Sequence, residues 1–252
     1  MRKFLEYVPG DSLLHRMNPV AKFLGAIVFA IACFCTHELA LLAAMLAAAL
    51  GLAAVAGMIG QTLGLMRGVA VFSAMLVIIQ LLTVPTGTVL VSLPWGHIGS
   101  DGALVAVATV ARLEAAAIPL FLTFYVTKIS DLTNAAVKVL HVPYKYAFTF
   151  SSTVHFIPVF LNDMAGIMEA QTARGVDFDR GGIVHKVRLM VPLCVPLLAQ
   201  SVRKTNSAAI AAEVRGFNLR TAASGYKEYP FAAMDYAALA TVVALLAAAI
   251  VL

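Results

Sequence analysis

Long apolar segments constrain the fold of this chain more than any other feature. They cover about residues 20–35, 39–59, 68–84, 103–127 and 232–252. Each is close to the ~20 residues that a helix needs to cross ~30 Å of hydrocarbon. Only 12% of the residues are charged, which is about half of the share in a soluble domain. The sequence therefore predicts an all-α, polytopic membrane protein with about five transmembrane helices in a lipid bilayer.

The Lys and Arg residues are distributed unevenly between the two sides of these segments. Four lie at or before the start of the first segment, one lies between the second and the third, and twelve lie within residues 128–230. Since Lys and Arg accumulate on cytoplasmic loops, we expect the amino terminus and residues 128–230 to be cytoplasmic. The predicted organisation is thus four helices in residues 1–127, a cytoplasmic helical coupling domain in 128–230 and a fifth helix in 231–252. The net charge of +5 reflects this orientation and predicts no nucleic-acid partner.

One short pattern occurs twice in the basic region, 41 residues apart. The two copies, here called the Arg-Gly elements, are Ala173-Arg174-Gly175 and Val214-Arg215-Gly216. Each follows a segment with helical periodicity, and a Gly at such a place can adopt the left-handed conformation that ends a helix. Ordinary helix caps explain either copy alone. Their repetition favours a function, because an exposed Arg can form fork-like hydrogen bonds with carboxylates or carbonyls of a partner.

Two apolar runs inside the basic region, 146–161 and 189–199, need a separate interpretation. The second run has about 11 residues and contains Pro192 and Pro196, so it is short for a membrane crossing. Making both runs into spans would also place several basic residues outside the cell. We therefore predict helices with one apolar face that lie at the membrane or pack on one another and end in the Arg-Gly elements.

Residues 85–102, which are rich in Gly and Pro, predict a loop, with Trp95 as a candidate for the membrane interface. The glycines Gly60, Gly64 and Gly68 have two interpretations. They form either a small-residue helix face or a loop around Arg67.

Enzyme signatures are absent from the sequence. There is no nucleotide-binding Gly-x-x-x-x-Gly-Lys-Ser/Thr loop, so the chain does not hydrolyse ATP by that route. The histidines of the basic region and the cysteines fit no common metal motif, and we predict no cofactor, metal site or disulfide framework. These residues are His141, His155, His185, Cys33, Cys35 and Cys194.

Arg112 and Glu114 are ionisable residues within the fourth apolar segment. Such groups are costly at that depth and indicate either a function or an internal partner. Residues two positions apart point to different faces of a helix, so we do not expect the two to pair. Candidate partners for Arg112 on the third segment are Ser73, Gln80 and Thr83. A polar tie within the bundle and a substrate contact both remain open.

The Arg-Gly elements resemble the two Ala-Arg-Gly signatures of the transmembrane T component, EcfT, of energy-coupling-factor (ECF) transporters, a family related to CbiQ- and BioN-type proteins. Residues 7–22, YVPGDSLLHRMNPVAK, also resemble that family's opening of an aromatic residue, Pro-Gly, Ser, Leu-His, Asp-Pro and Lys. Asn18 stands in place of the usual Asp, and its pairing with Pro19 predicts a capped helix start. Val214 stands in place of the Ala of the second signature.

The resemblance implies a non-catalytic scaffold in the cell membrane of a prokaryote. Such a scaffold joins two ABC-type ATPase subunits to a separate substrate-binding membrane subunit, the S component, for uptake of a vitamin or a transition-metal ion. It implies that Arg174 and Arg215 end coupling helices seated on the ATPases. Two alternatives remain, namely an ordinary ABC permease that binds solute directly, with Arg112 and Glu114 as its candidate site, and a polytopic membrane enzyme.

Overall fold

The computed structural model describes residues 7–83, 87–93, 96–178, 181–221 and 224–251. Trp95 lies outside these ranges. The helices are α1 Leu13–Arg16, α2 Pro19–Cys35, α3 Leu39–Val55, α4 Ile59–Thr83, α5 Ser100–Val126, α6 Ile129–Val139, α7 Tyr144–Ala173, α8 Ile183–Val214 and α9 Ala233–Val251. A short 3-10 helix covers Phe217–Leu219, and the strands are β1 Val89–Leu93 and β2 Gly96–Gly99.

Apolar helices confirm the prediction of a polytopic membrane protein. Within the described residues, Ile59–Leu81, Ser100–Val126 and Ala233–Val251 are long and apolar enough to cross a membrane. The helices α2 and α3 are apolar but have 17 residues each, which gives about 25 Å at ~1.5 Å per residue. Three spans are thus supported by length and composition, and the total of about five stays a prediction.

The fold differs from the sequence prediction at two connections. The helix α4 begins at Ile59, well before the predicted start of the third segment near residue 68. Of the two interpretations of Gly60, Gly64 and Gly68, the helix face is therefore confirmed and the loop is wrong. A methyl group added at any of these glycines would meet nothing within 4 Å, so this helix face is open within the described chain. Glycine does not stop this helix because glycine is common in membrane helices, where apolar neighbours continue the segment.

The second difference is a β-hairpin inside the predicted loop 85–102. The strands β1 and β2 pair antiparallel, with Leu93 opposite Gly96 and Val91 opposite Ile98. Alternating β-branched Val residues in β1 favour an extended chain. The Gly and Pro residues around them favour a loop more strongly, which is why the sequence alone predicts a loop here.

The chain divides into two compact units. The first, here called the membrane unit, combines Met1–Ala135 with Tyr229–Leu252, and the second, here called the helix-pair unit, is Ala136–Glu228. In the membrane unit, α2 packs against α5 and α9, and α5 also packs against α3 and α4. A few large side chains fill this core, such as Phe29, Met45 and Ile118. The remainder is mostly alanine, which allows the helix backbones to approach closely.

A buried carboxylate, Asp235, joins the first turns of α2 and α9. Asp235 is 1% exposed. Its carboxylate accepts a hydrogen bond from the backbone N–H of Asn18 at 3.0 Å and another from that of Ala232 at 2.8 Å. The second bond is the return bond of a capping box at the start of α9. At α2, the side chain of Asn18 accepts from the backbone N–H of Val20 at 2.9 Å, which confirms the predicted cap.

The same polar cluster extends to Tyr229. Asn18 donates through Nδ2 to the carbonyl oxygen of Tyr229 at 2.8 Å, and the hydroxyl of Tyr229 donates to Asp131 at 3.0 Å. Burial and the adjacent Asp131 carboxylate raise the pKa of Tyr229 to about 12. The phenol therefore stays protonated at neutral pH and keeps its hydrogen bond. These contacts, together with those of Asp235, hold the start of α2 against the segment that leads into α9.

Candidate functional site

The first Arg-Gly element ends the 30-residue helix α7. Beyond Ala173, the backbone N–H of Gly175 donates to Thr172 at 2.9 Å and that of Val176 donates to Gln171 at 3.1 Å. These are the two bonds of a Schellman motif, and Gly175 has the positive φ of 90° that the motif requires. The predicted helix end at this element is confirmed.

The second element ends the 32-residue helix α8 in a similar way. The backbone N–H of Gly216 donates to the carbonyl oxygen of Glu213 at 2.9 Å, and Gly216 has a φ of 71°. The helix continues through Pro192 and Pro196, so the apolar run 189–199 is part of a longer helix. Among the described residues, the helices long and apolar enough to cross a membrane do not include α7 or α8.

Both arginines of the elements are exposed to solvent. Arg174 and Arg215 each occupy the C-cap position, just beyond the last helical residue. In the described ranges, neither guanidinium group has a hydrogen bond or an ion pair with another part of the chain. Val214, beside Arg215, is 83% exposed. Two charged forks are therefore available to an external carboxylate or carbonyl group.

An ion pair and an aromatic cluster determine how α7 and α8 lie relative to each other. Lys204 on α8 donates to both oxygens of Asp163 on α7, at 2.7 and 2.6 Å. Near the start of α7, the rings of Tyr144 and Phe148 lie 5.6 and 4.9 Å from that of Phe217, which follows α8. The two helices are therefore antiparallel.

The antiparallel arrangement separates the two Arg-Gly elements. Arg215 lies beside the first turns of α7, whereas Arg174 lies at the far end of the same helix. The 26 residues from Phe148 to Arg174 correspond to about 40 Å at ~1.5 Å per residue. The helix-pair unit thus presents one Arg-Gly element at each end.

Arg112 in the membrane unit holds the end of α2. Its Nε donates to the carbonyl oxygen of Cys33 at 3.0 Å, and its Nη2 donates to that of Thr36 at 2.7 Å. The last carbonyls of a helix have no partner within the helix, and a guanidinium supplies donors that hydrocarbon lacks. Arg112 is therefore a polar tie between α5 and α2.

The partners predicted for Arg112 are wrong. Gln80 donates to the hydroxyl of Thr109 at 2.9 Å, while Ser73 and Thr83 donate to backbone carbonyls of their own helix. These residues were candidates because they are polar and lie on the third segment, and the sequence does not show that α2 ends within reach of α5. Glu114 is 4% exposed, and its Oε2 has no hydrogen-bond partner among the described residues. No ion pair joins it to Arg112 in that part of the chain, as the two-residue spacing predicts.

The sequence profile of the CbiQ family, described as cobalt transport protein, matches residues 10–224, which is most of the chain. The chain belongs to the CbiQ family. It is 30% identical to the energy-coupling factor transporter transmembrane protein EcfT of Bacillus selenitireducens, over 93% of this chain and 91% of the relative. The EcfT of Limosilactobacillus fermentum is also 30% identical, over 95% and 93%, and that of Lactococcus lactis is 28% identical, over 91% and 89%.

These relatives identify the chain as an ECF transporter transmembrane component, and the resemblance stated from the sequence is confirmed. Among the described residues, no group of three or more His, Cys, Asp or Glu side chains could hold a metal ion. Cys33 is buried, and Cys194 is exposed. His155 lies beside the ring of Phe156, and His185 packs on Gly181.

Sequence reasoning missed the residues that position the Arg-Gly elements in this CbiQ-family chain. The contacts of Asp163 with Lys204, and of Tyr144 and Phe148 with Phe217, join residues at least 41 positions apart. Of these residues, Phe217 alone carried a local signal, since it directly follows the second copy of the repeated Arg-Gly pair. The others lie among similar apolar and charged residues.

The left-handed glycine of the second element leads to a prediction. Replacing Gly216 with alanine strains a backbone that has a φ of 71°, at a cost of about 1 kcal/mol. We expect a lower thermal unfolding midpoint for the Gly216→Ala protein in detergent. Gly166→Ala is the matched control, because Gly166 lies inside α7 with nothing within 4 Å of an added methyl group. Alanine favours a helix there, so an equal loss of stability in both variants would contradict the explanation.

Proposed function

We propose that this chain is the coupling subunit of an ECF-type importer. In this proposal it transmits ATP-driven motion from two ABC-type ATPase subunits to a separate substrate-binding S component, which takes up a vitamin or a transition-metal ion. The observation that carries the proposal is the pair of exposed arginines, Arg174 and Arg215, which have no partner within the described chain. Two similar ends fit two similar subunits. The names of the EcfT relatives support the same assignment.

The charge distribution supports a cytoplasmic helix-pair unit. Residues 136–228 contain eleven Lys and Arg but six Asp and Glu, so this unit carries the whole net charge of +5. Basic residues accumulate on the cytoplasmic side of membrane proteins. We therefore propose that the amino terminus and the helix-pair unit face the cytoplasm of a prokaryote and that α9 returns the chain across the membrane.

The proposed mechanism needs no catalytic group in this chain. ATP hydrolysis belongs to the ATPases, and their closure moves the two bound helix ends relative to each other. The planar guanidinium of arginine binds in a more fixed geometry than the ammonium of lysine. Arg174 and Arg215 therefore contribute affinity for the ATPases and also transmit their displacement. The membrane helices then reorient the S component. Ala173, Gly175, Val214 and Gly216 complete the two proposed contact surfaces.

A second candidate function is an ordinary permease that binds solute directly. The observation that favours it is Glu114, a buried carboxyl group whose Oε2 is unsatisfied in the described chain. A buried ionisable group in a membrane helix is a functional candidate by default. Against it, Arg112 already serves the end of α2 and is not free for a solute.

Purification separates the two functions. A tagged chain isolated in mild detergent from its own membranes should retain two ATPase subunits and a further small membrane protein, detected by mass spectrometry and by the mass of the intact complex. A strain with an untagged chain is the control. The permease predicts instead that the chain alone binds the transported solute, and that Glu114→Gln weakens this binding. Isolation of a chain that binds solute without an S component would reject the coupling function.

A further inference from the structure

A pocket lies directly beside the second Arg-Gly element, entirely within the helix-pair unit. Its volume is about 260 Å³, many times the ~10–15 Å³ that one water molecule requires on the same measure. It is open to solvent and is lined by Tyr144, Phe148, Ala208, Ala211, Ala212, Arg215, Phe217 and Arg220. The chain therefore offers a concave surface next to Arg215, in addition to the exposed arginine itself.

The interior of this pocket is apolar. Tyr144, Phe148 and Phe217 form a cluster in which ring centroids are 4.9 to 6.0 Å apart, and their side chains are only half-buried. Alanines of α8 line the pocket beside them, and their short side chains leave the space open within the described part of the chain. Covering these half-exposed aromatic rings with an apolar group is favourable, because it removes apolar surface from water.

Two arginines line the pocket together with these apolar groups. Arg220 donates from Nη1 to the hydroxyl of Tyr144 at 3.0 Å, and its guanidinium carbon lies 5.5 Å from the centre of that ring. These contacts hold Arg220 in place, and the other N–H groups of its guanidinium can still donate to a ligand. Arg215 has no partner in the described ranges. An apolar pocket lined by two cations matches a ligand that is apolar at its tip and anionic beside it.

We propose that this pocket receives a large apolar side chain from an ATPase subunit, and that a neighbouring carboxylate of that subunit binds Arg215 and Arg220. The inference rests on the proposed coupling function. It adds an apolar side chain bound in the pocket to the contact between the arginine and a carboxylate. Charge complementarity supports an acidic protein segment, since the unit carries a net charge of +5. An apolar anchor in a pocket beside charged contacts is the usual form of a binding hot spot.

The experiment fills the pocket without touching either arginine. Ala212→Leu and Ala208→Leu place a larger side chain at the alanine positions of the lining, while Ala209→Leu adds the same group at an exposed position of α8 outside the pocket. Affinity of the purified ATPase pair for the full-length chain in detergent is measured by titration. We expect at least tenfold weaker binding for the two pocket variants and unchanged binding for Ala209→Leu.

A charge variant tests the second half of the proposal. Arg220→Gln should weaken ATPase binding and reduce its dependence on salt concentration, because one screened ionic contact is lost. Arg203→Gln, an exposed arginine of α8 outside the pocket, should change neither property. Equal effects of the two replacements would overturn the assignment of a carboxylate to this pocket.

The outcomes separate the pocket from the coupling function. If the wild-type chain binds the ATPases and both pocket-filled variants bind them equally well, the pocket proposal is wrong and the coupling function stands. If the wild-type chain binds no ATPase, both fail. If the pocket-filled variants lose affinity for vesicles of anionic phospholipid instead, with ATPase binding unchanged, the pocket is a lipid site and the proposal is overturned.

Discussion

A chain with both Arg174→Ala and Arg215→Ala should insert into the membrane and fail to support uptake. The two arginines are exposed and make no bonds within the described chain, so their removal should change the free energy of unfolding by less than about 0.5 kcal/mol. Loss of a hydrogen-bonded charge pair at an interface costs about 2–5 kcal/mol. Losing two such contacts should lower affinity for the ATPases by a factor of about 10³ or more.

The measurements are uptake of the radiolabelled substrate in cells and recovery of the ATPases with the tagged chain. Arg188→Ala with Arg203→Ala is the matched control, since it removes two exposed arginines from α8 but leaves both helix ends intact. The control should transport normally. Near-normal uptake by the Arg174 and Arg215 double variant, at equal membrane abundance, would contradict the proposed coupling role.

Single replacements compare the two elements. Only Arg215 adjoins the aromatic pocket, where an apolar contact can retain part of the affinity after the charge is lost. We therefore expect Arg174→Ala to weaken ATPase binding at the first Arg-Gly element more than Arg215→Ala weakens it at the second. Titration of the ATPases into each single variant measures the difference, and a larger loss for Arg215→Ala would reverse this order.

Asp235→Ala should produce the largest loss of stability among single replacements in the membrane unit. The side chain is buried and accepts from two backbone N–H groups, those of Asn18 and Ala232. An unsatisfied buried donor costs about 1–3 kcal/mol, so leaving both donors unsatisfied should cost about 2–6 kcal/mol. At about 2–4 °C per kcal/mol for a chain of this size, the thermal unfolding midpoint should fall by roughly 4–24 °C.

The midpoint can be measured in detergent by the fluorescence of a thiol-reactive dye or by loss of the monodisperse chromatographic peak. Asp235→Asn keeps one acceptor oxygen and should lose about half as much stability. Glu228→Ala removes an exposed carboxylate nearby in sequence and should leave the midpoint unchanged. Equal midpoints for Asp235→Ala and Glu228→Ala would show that the buried carboxylate does not hold the starts of α2 and α9 together.

Local signals predicted the membrane helices and the ends of α7 and α8. Apolar length identified the spans, and Gly175 and Gly216 marked helix ends because only a left-handed residue can continue the chain there. The same residue type left two interpretations open at Gly60, Gly64 and Gly68, which lie inside α4. A glycine ends a helix only where the following residues leave the helical conformation, and in α4 the apolar sequence continues.

Non-local contacts could not be predicted from the sequence. Asp235 and Asn18 are 217 residues apart, and nothing near either residue indicates that the two helices start side by side. Arg112 was correctly interpreted as costly in the membrane, but its partners are backbone carbonyls of α2, which every residue possesses. A backbone acceptor leaves no mark in the sequence, so such a contact appears only when the fold is known.

The antiparallel pairing of α7 and α8 has a consequence for the geometry of any assembly. Because Arg174 and Arg215 lie at opposite ends of one pair of helices, about 40 Å of helix length separates them. The length of the helices thus sets how far apart the two Arg-Gly elements lie, and the Asp163–Lys204 ion pair lies between them. A partner dimer whose binding sites approach each other cannot shorten either helix, so it must change the angle between α7 and α8.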